Sequence, residues 1–214
     1  MTRAIRIGVT GKIGSGKSTL LRLMEEHGMT VLNSDLVARG LMESDPKLRE
    51  KIAALLGSDA YTDGRLNRSY LASKIFSSAA LRQEVEAIVH PAVRREIEYV
   101  FKNSVPGKRV VVESALIFQS GFWKTFDYII LIDSTDDAVL DRLAALGRLT
   151  PEDARNRLAQ QDYDHLSREE ADFIITNDGT EEQFIERCHA LLSLLDVLTL
   201  RELPEAPLHS SVII

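Results

Sequence analysis

The feature that most constrains this chain is a glycine-rich octapeptide near its amino terminus. Residues 11–18 read Gly-Lys-Ile-Gly-Ser-Gly-Lys-Ser and match the pattern G-x-x-x-x-G-K-[S/T]. An apolar run at residues 5–9 precedes the octapeptide, and a helical pattern over residues 16–26 follows, so the motif links a strand to a helix. A second short strand at residues 30–32 completes a strand–helix–strand unit, which predicts a parallel sheet. The alternative is a glycine-rich turn that matches the pattern by chance, but such a turn need not lie between a strand and a helix.

A loop of this kind binds phosphate groups. Gly11, Gly14 and Gly16 let successive backbone N–H groups point inward at a helix N-terminus, which forms a nest for anions. Lys17 is predicted to reach the β- and γ-phosphates of ATP, and the Ser18 hydroxyl to take one position around Mg²⁺. The predicted nucleotide-binding residues are Gly14, Ser15, Gly16, Lys17, Ser18 and Thr19.

Three further strands and a helical insertion complete the predicted core. Continuous apolar runs at residues 109–114, 128–133 and 172–177 indicate strands that are covered on both faces. No strong strand pattern appears between about residues 35 and 103. In that insertion we predict helices with Asp45 and Asn67 as N-caps, a turn at residues 61–64, and a long helix from Ser78 that is interrupted near His90-Pro91.

Two helices after the fourth strand carry many arginines. They are predicted at residues 135–146 and 150–161, and a capping box at residues 180–183 opens the last helix. The GTPase motifs D-x-x-G and N-K-x-D are absent from the sequence, as is an apolar run ending in Asp-Glu. An insertion together with an arginine-rich helical pair is typical of small-molecule kinases, whose lids exclude water and neutralise phosphoryl charge.

We therefore predict an α/β fold with a P-loop kinase-like parallel sheet of about five strands flanked by helices. The predicted parts are a nucleotide-binding core (1–34, 105–140 and 170–200), a helical substrate-binding insertion (35–104), a helical lid (141–169) and a tail (201–214). A formal charge of −6 disfavours non-specific nucleic-acid binding, with a local basic groove as the alternative, and no apolar stretch approaches the length of a membrane span. The single cysteine, Cys188, excludes a disulfide framework. We expect a cytoplasmic protein.

Within the kinase class, the chain resembles the dephospho-coenzyme A kinase family over about residues 4–195. The resemblance rests on the order of several motifs: residues 8–18; Asn33-Ser34-Asp35 with Arg39; residues 64–68 with Leu71 and Phe76; His90-Pro91; residues 113–119; Arg157 with Gln161; and Ala171-Asp172 with Asn177. The resemblance implies ATP-dependent phosphorylation of the ribose 3′-hydroxyl of dephospho-coenzyme A, which gives coenzyme A and ADP, with Mg²⁺. The alternatives are a nucleoside, nucleotide or shikimate-type kinase, and a non-catalytic nucleotide-binding regulator.

The chain departs from the family pattern at three places. The family usually has Gly-Gly where this chain has Gly11-Lys12, and Asp-x-Asp where it has Asn33-Ser34-Asp35. The family's lid usually reads R-L-x-x-R, whereas Arg142 is followed four residues later by Leu146. The nearest replacement is Arg148, so Arg142 and Arg148 are both candidates for contact with the transferred phosphoryl group.

Polar residues after the strands supply the remaining candidates. Asp35 follows the second strand, where ligands gather in open α/β sheets, and we predict that it orients the substrate hydroxyl and accepts its proton. A helix N-cap is its alternative role. The resemblance implies that Arg39 and His90 face the substrate and that Asn177 lies in an adenine-contacting loop. The alternatives are a solvated side chain for Arg39, a structural turn at His90, and ordinary turn chemistry for Asn177. Partners are predicted to be a small-molecule substrate alone, and the chain a monomer or small homo-oligomer.

Overall fold

The computed structural model describes residues 3–115, 117–118, 121–147, 149–159, 168–200 and 212–214, without the side chains of residues 199 and 200. The strands are β1 Ile5–Gly11, β2 Thr30–Asn33, β3 Tyr61–Thr62, β4 Arg65–Leu66, β5 Arg109–Glu113, β6 Tyr128–Asp133, β7 Phe173–Thr176 and β8 Val212–Ile213. The α-helices are α1 Lys17–Glu26, α2 Ser34–Ser44, α3 Pro46–Leu56, α4 Arg68–Ser77, α5 Ala79–Asn103, α6 Asp136–Ala145, α7 Pro151–Ala159 and α8 Glu181–Leu200. Short 3₁₀ turns lie at Ser58–Ala60 and Phe122–Thr125.

One six-stranded sheet forms the centre of the core, in the order β2-β5-β1-β6-β7-β8. The β1 strand pairs in parallel with both β5 and β6, and β6 pairs in parallel with β7. The predicted parallel sheet is therefore confirmed. Because carboxyl ends of parallel strands meet at one edge, the loops that follow β1, β5, β6 and β7 gather at that edge.

Side chains on the two faces of the sheet belong to different apolar clusters. On β6, Ile130 and Ile132 lie in the cluster that α1 and α8 cover, whereas Ile129 and Leu131 lie in a second cluster with Ile117. This alternation follows the two-residue period of a strand, and burial on both faces explains why β6 is apolar throughout. Because apolar side chains pack against both faces of the sheet, the ends of its strands are held in place.

The carboxyl-terminal strand β8 was not predicted from the sequence. The Val212 N–H donates to the Asp172 carbonyl oxygen at 2.9 Å, and the Ile214 N–H donates to the Ile174 carbonyl oxygen at 2.9 Å. A strand of two residues is too short to show a periodic pattern in the sequence. It is held by main-chain hydrogen bonds, which do not depend on the identity of the side chains. The sheet, predicted with about five strands, therefore has a sixth strand at its edge.

The predicted interruption at His90-Pro91 was wrong, since α5 runs unbroken through Pro91. Proline removes one N–H from the helix ladder, which normally breaks or kinks a helix. Here Val89, Ala92 and Val93 are all buried on either side of it. Packing of these neighbours overrides the local preference.

The insertion also contains a two-stranded hairpin that was predicted only as a turn. Strands β3 and β4 pair antiparallel across Asp63 and Gly64, whose φ angles are +50° and +76°. Positive φ at both central residues is the turn geometry that favours short hairpins. The predicted caps are confirmed: the Asp45 carboxylate accepts from the Lys47 N–H at 2.9 Å, and the Asn67 side chain accepts from the Tyr70 N–H at 3.1 Å.

The chain divides into two compact units. The first comprises Met1–Val31 and Ser104–Ile214, and the second comprises Leu32–Asn103. Unit 1 therefore holds the glycine-rich loop and most of the sheet, and unit 2 holds helices α2 to α5 with the hairpin. Among the helices that the structure describes, none combines the length and apolar character needed to cross a membrane.

Candidate active site

The glycine-rich loop turns sharply between β1 and α1. Gly14 and Gly16 have φ angles of +71° and +109°, in the left-handed region that glycine adopts without strain. Gly16 is the N-cap of α1 and brings no capping side chain. No capping side chain from Gly16 therefore occupies the N-terminus of α1, in line with the loop's predicted role.

Lys17 and Glu113 lie together where β1 and β5 end. The Lys17 ammonium donates to the carbonyl oxygens of Gly11 and Lys12, at 2.7 and 2.9 Å. Lys17 Nζ also lies 4.0 Å from Glu113 Oε1, and both side chains are largely buried. This arrangement keeps the charge of Lys17 at the loop, close to where the motif predicts phosphate binding.

Arg142, on α6, reaches back to the same loop. Its Nε donates to the Gly14 carbonyl oxygen at 2.9 Å, and its Nη1 donates to the Asn177 carbonyl oxygen at 2.8 Å. Its Nη2 donates to Ser134 Oγ at 2.8 Å. Burial lowers the pKa of the Arg142 guanidinium, and Asp178 opposes that effect. Contact with the phosphoryl group stays a prediction for Arg142.

Asn177 follows β7 and touches the adjacent peptide of the loop. Its side-chain Nδ2 donates to the Ser15 carbonyl oxygen at 2.8 Å, and its backbone N–H donates to the Asp133 carbonyl oxygen at 2.8 Å. The residue is 5% exposed. The adenine contact stays a prediction, and the structure brings Asn177 to the glycine-rich loop.

Sequence reasoning missed several partners of the loop. Ser134 directly follows β6, and a polar residue at the carboxyl end of a parallel strand was the available signal. The Lys12 ammonium lies 2.6 Å from Asp136 Oδ1 at the start of α6. Ile13 packs on the apolar cluster that α6 and α7 share, a contact that no sequence pattern announces.

The substrate candidates lie in unit 2. Asn33, and not Asp35, caps α2, since its side chain accepts from the Leu36 N–H at 2.9 Å. The alternative role of Asp35 as N-cap was therefore wrong, and its exposed carboxylate lies in the first turn of α2. Arg39 is exposed one turn later on the same helix, and His90 is half-buried in α5.

Other predicted residues lie outside the described residues. They are Arg148, Gln161, Leu116 and Gln119. Leu146, which stands where the family pattern has its second lid arginine, is 58% exposed at the end of α6.

The loop's donor set suits Mg²⁺ only in combination with phosphate oxygens. Among the described residues, no group of three His, Cys, Asp or Glu side chains could hold a metal ion. Mg²⁺ commonly keeps several waters and takes one or two protein ligands together with substrate phosphates. The exposed Ser18 hydroxyl in the first turn of α1 fits that requirement.

A parallel sheet with a glycine-rich loop after β1, a lysine at that loop and arginine-bearing helices after β6 defines a P-loop small-molecule kinase. The sequence profile of the dephospho-CoA kinase family matches residues 5–183. The chain therefore belongs to the dephospho-CoA kinase family, whose members transfer a phosphoryl group to dephospho-CoA.

Individual relatives agree with this assignment. A dephospho-CoA kinase from Corynebacterium diphtheriae is 35% identical over 179 residues, covering 82% of this chain and 90% of the relative. The structure of TT1252 from Thermus thermophilus is 31% identical with a TM-score of 0.74, covering 90% of this chain and 98% of that one. A dephospho-CoA kinase structure from Campylobacter jejuni, 24% identical with a TM-score of 0.68, shares the fold; the match covers 89% of this chain and 96% of that one.

Proposed function

We propose that this chain phosphorylates the ribose 3′-hydroxyl of dephospho-coenzyme A with ATP, through Lys17, Asp35 and the lid arginines. The observation that carries the proposal is the placement of Lys17 at the glycine-rich loop, where its ammonium lies within 3 Å of two loop carbonyl oxygens. Bound phosphates offer stronger, charged acceptors for the same ammonium. Lys17 then neutralises charge on the β- and γ-phosphates during transfer.

Asp35 is proposed as the proton acceptor. Its carboxylate is exposed in the first turn of α2, so it remains accessible to a substrate hydroxyl. Removing the proton as the oxygen attacks the γ-phosphorus prevents build-up of positive charge on that oxygen. Arg39 and His90, in the same unit, are proposed to bind the acceptor, and Arg142 and Arg148 to lie near the transferred group.

Ser18 is proposed to hold Mg²⁺ together with the phosphates. Mg²⁺ held there would neutralise negative charge on the phosphates. Ser18 is exposed in the first turn of α1, and the Thr19 N–H donates to the Gly16 carbonyl oxygen at 3.0 Å. Asn177 is proposed to serve the adenine side of the same nucleotide.

The proposed setting is the cytoplasm, with a small-molecule acceptor and no nucleic acid. The formal charge of −6 supports the exclusion of nucleic acid, since a polyanion is repelled by net negative charge. We propose a monomer or small homo-oligomer.

Acceptor specificity is the direct test of the reaction. ADP release with Mg·ATP is measured for dephospho-coenzyme A, AMP, CMP, adenosine and shikimate, and product mass is checked for one added phosphoryl group. We expect turnover with dephospho-coenzyme A alone. Turnover confined to another acceptor would overturn the proposed substrate, and ATP binding without transfer to any acceptor would support a regulator.

Replacing Asp35 tests the proton acceptor. Asp35→Asn keeps the side-chain volume but removes the base, so we expect kcat to fall about 100-fold or more, the range that general-base catalysis contributes. ATP affinity should stay nearly unchanged. Asp59→Asn, another exposed aspartate of unit 2, is the matched control and should keep full turnover. Normal kcat in Asp35→Asn would remove Asp35 from the mechanism.

A further inference from the structure

Two consecutive carbonyl groups of the glycine-rich loop are each bound by a side chain from a distant element. Arg142 Nε donates to the Gly14 carbonyl oxygen at 2.9 Å, and Asn177 Nδ2 donates to the Ser15 carbonyl oxygen at 2.8 Å. Arg142 is 128 residues from Gly14 in sequence, and Asn177 is 162 from Ser15. The loop is therefore held from outside by α6 and by the end of β7.

These two bonds determine which way the loop's N–H groups face. The described peptide bonds are all trans, so the C=O and N–H of each peptide unit point in opposite directions. With the Ser15 carbonyl oxygen bound to Asn177, the Gly16 N–H is directed to the opposite side of its peptide plane. The Ser15 N–H donates to the Lys12 carbonyl oxygen at 3.1 Å and closes the loop's turn.

The side chains that hold the loop also hold one another. Arg142 Nη1 and Ser134 Oγ both donate to the Asn177 carbonyl oxygen, at 2.8 and 2.7 Å, and Arg142 Nη2 donates to Ser134 Oγ at 2.8 Å. Each of the three guanidinium nitrogens of Arg142 is thus engaged with an acceptor at the loop or at the two strand ends. A planar fork with fixed donors suits this task, and the single ammonium of lysine cannot reproduce it.

We propose that Arg142 is a positioning residue for phosphoryl transfer: it holds the Gly14 peptide in the closed turn of the loop, so that the N–H of the next peptide, which Asn177 holds, faces the β-phosphate. The inference rests on the proposed function only in that the loop binds a nucleotide, and it replaces direct phosphoryl contact as the role of Arg142. Arg142 with Ser134 and Asn177 forms a brace that sets the loop before the nucleotide arrives.

A brace and a transition-state contact affect different measurements. Both ATP and ADP carry the β-phosphate, so a loosened loop weakens both nucleotides by the same factor. A loop that is competent a tenth of the time binds about 10-fold more weakly, and saturating ATP restores the competent form and hence kcat. Loss of a contact made only in the transition state would instead lower kcat and leave ADP affinity intact.

The experiment measures ADP and ATP affinity by titration calorimetry, and kcat and KM for ATP, in Arg142→Lys. Arg187→Lys is the matched control: Arg187 is also half-buried, and its Nη1 donates to the Thr176 carbonyl oxygen at 2.7 Å and to Thr176 Oγ1 at 2.9 Å. We expect about 10-fold weaker binding of both ADP and ATP in Arg142→Lys, and a KM for ATP that rises by the same factor. The control should keep wild-type affinity for both.

Two results would overturn the proposal. One is a fall in kcat with unchanged ADP affinity, which would identify a transition-state contact. The other is an equal loss of ADP affinity in Arg187→Lys, which would identify a general loss of packing. Because ADP binding needs no acceptor, the proposal is judged separately from the identity of the substrate.

A second variant keeps the test usable if Arg142→Lys does not fold. Asn177→Ser removes the donor to the Ser15 carbonyl oxygen and keeps the backbone carbonyl that Arg142 and Ser134 bind. We expect the same parallel loss of ATP and ADP affinity. Unchanged affinity for both nucleotides in folded Asn177→Ser would overturn the brace.

Discussion

Gly16 shows how one residue can decide whether the loop forms. A Cβ atom at Gly16 would lie 2.6 Å from Asn177 Nδ2 and 2.9 Å from the Phe184 ring, and the φ angle of +109° adds backbone strain. We expect Gly16→Ala to lose at least about 10-fold in ADP affinity and to cost roughly 1–3 kcal/mol of stability, because both the side-chain contacts and the backbone must shift. Titration calorimetry and urea unfolding measure the two effects.

Gly28→Ala is the control for Gly16→Ala. Gly28 also has a positive φ, +82°, but nothing lies within 4 Å of the position its Cβ would take. Backbone strain should therefore lower its stability while ADP affinity stays at the wild-type value. Wild-type ADP binding by Gly16→Ala would show that the contacts with Asn177 and Phe184 do not constrain the loop.

For single residues, the sequence predicted the glycine-rich loop but not the side chains that bind its carbonyl oxygens. The positions of Gly14, Gly16 and Lys17 form a local pattern within eight residues, so the motif alone indicates their chemistry. The bond from Arg142 to Gly14 joins positions 128 apart, and its geometry depends on how α6 packs. The arginine-rich pair of helices indicated that this part of the chain mattered, but it gave no means of finding the acceptors of Arg142.

Three secondary-structure elements meet at Asp196 on α8. Arg109 Nη1, at the start of β5, lies 2.7 Å from Asp196 Oδ1, and His27 Nε2, just after α1, lies 3.0 Å from Asp196 Oδ2. Partial burial tends to raise the pKa of the Asp196 carboxyl, but the hydrogen bonds from Arg109 and His27 outweigh it, so the pKa is lowered from its ordinary 3.8. The ionised carboxylate therefore stabilises the folded state.

The contacts of Asp196 with Arg109 and His27 predict that the stability difference between wild type and Asp196→Asn depends on pH. A lowered folded-state pKa contributes stability that is present above the unfolded pKa and is lost as pH falls through the folded value. Asp196→Asn should therefore be less stable than wild type by about 0.5 kcal/mol near neutral pH, the modest figure reflecting a carboxylate that is 45% exposed. Urea unfolding at neutral pH and near pH 3 measures the change.

The difference between Asp196→Asn and wild type should shrink as the pH falls through the pKa of the wild-type carboxyl, because the charge that stabilises the folded state is then lost. A destabilisation that stays constant from neutral to acid pH would show that lost packing, and not lost charge, is responsible. Glu26→Gln is a suitable companion, since Glu26 takes part in an exposed i,i+4 pair with Arg22 on α1. It should change stability by a few tenths of a kcal/mol at most.

Elements with strong local signals were predictable, and elements fixed by tertiary packing were not. Asp45 and Asn67 have the side chains that N-caps need, and both caps form. Pro91 carries an equally clear local signal for a break, yet α5 continues because Val89 and Val93 are buried on either side. Burial of an apolar face can exceed a local cost of about 3 kcal/mol for an internal proline.

The chain is divided into two compact units that carry different predicted site residues. Unit 1 carries Lys17, Arg142 and Asn177, and unit 2 carries Asp35 and Arg39. The absence of a strong strand pattern between about residues 35 and 103 indicated the insertion. The acceptor-binding geometry could not be read in the same way, because helices expose side chains whose partners depend on packing between elements.

Division into two units predicts where nucleotide binding adds stability. ADP at about 100 times its Kd should stabilise the state that binds it by about 2.7 kcal/mol, which corresponds to about 100-fold slower exchange of amides that exchange only by unfolding. If the two units unfold separately, only the unit that holds Lys17 gains this free energy of unfolding. Hydrogen exchange measured by mass spectrometry should then show it in β1 and β6 of unit 1, with little change in α5 of unit 2.

Lys17→Met is the control, because it removes the phosphate-binding ammonium and should abolish the gain in β1 and β6. Equal gains in β1 and α5 of the wild-type protein would contradict separate unfolding and show that the two units unfold as one. Such a result would leave nucleotide binding by the loop intact, since the Lys17→Met comparison tests that binding by itself. Comparing amide exchange in the two units therefore tests whether they unfold together, and comparing Lys17→Met with wild type tests whether the loop binds ADP.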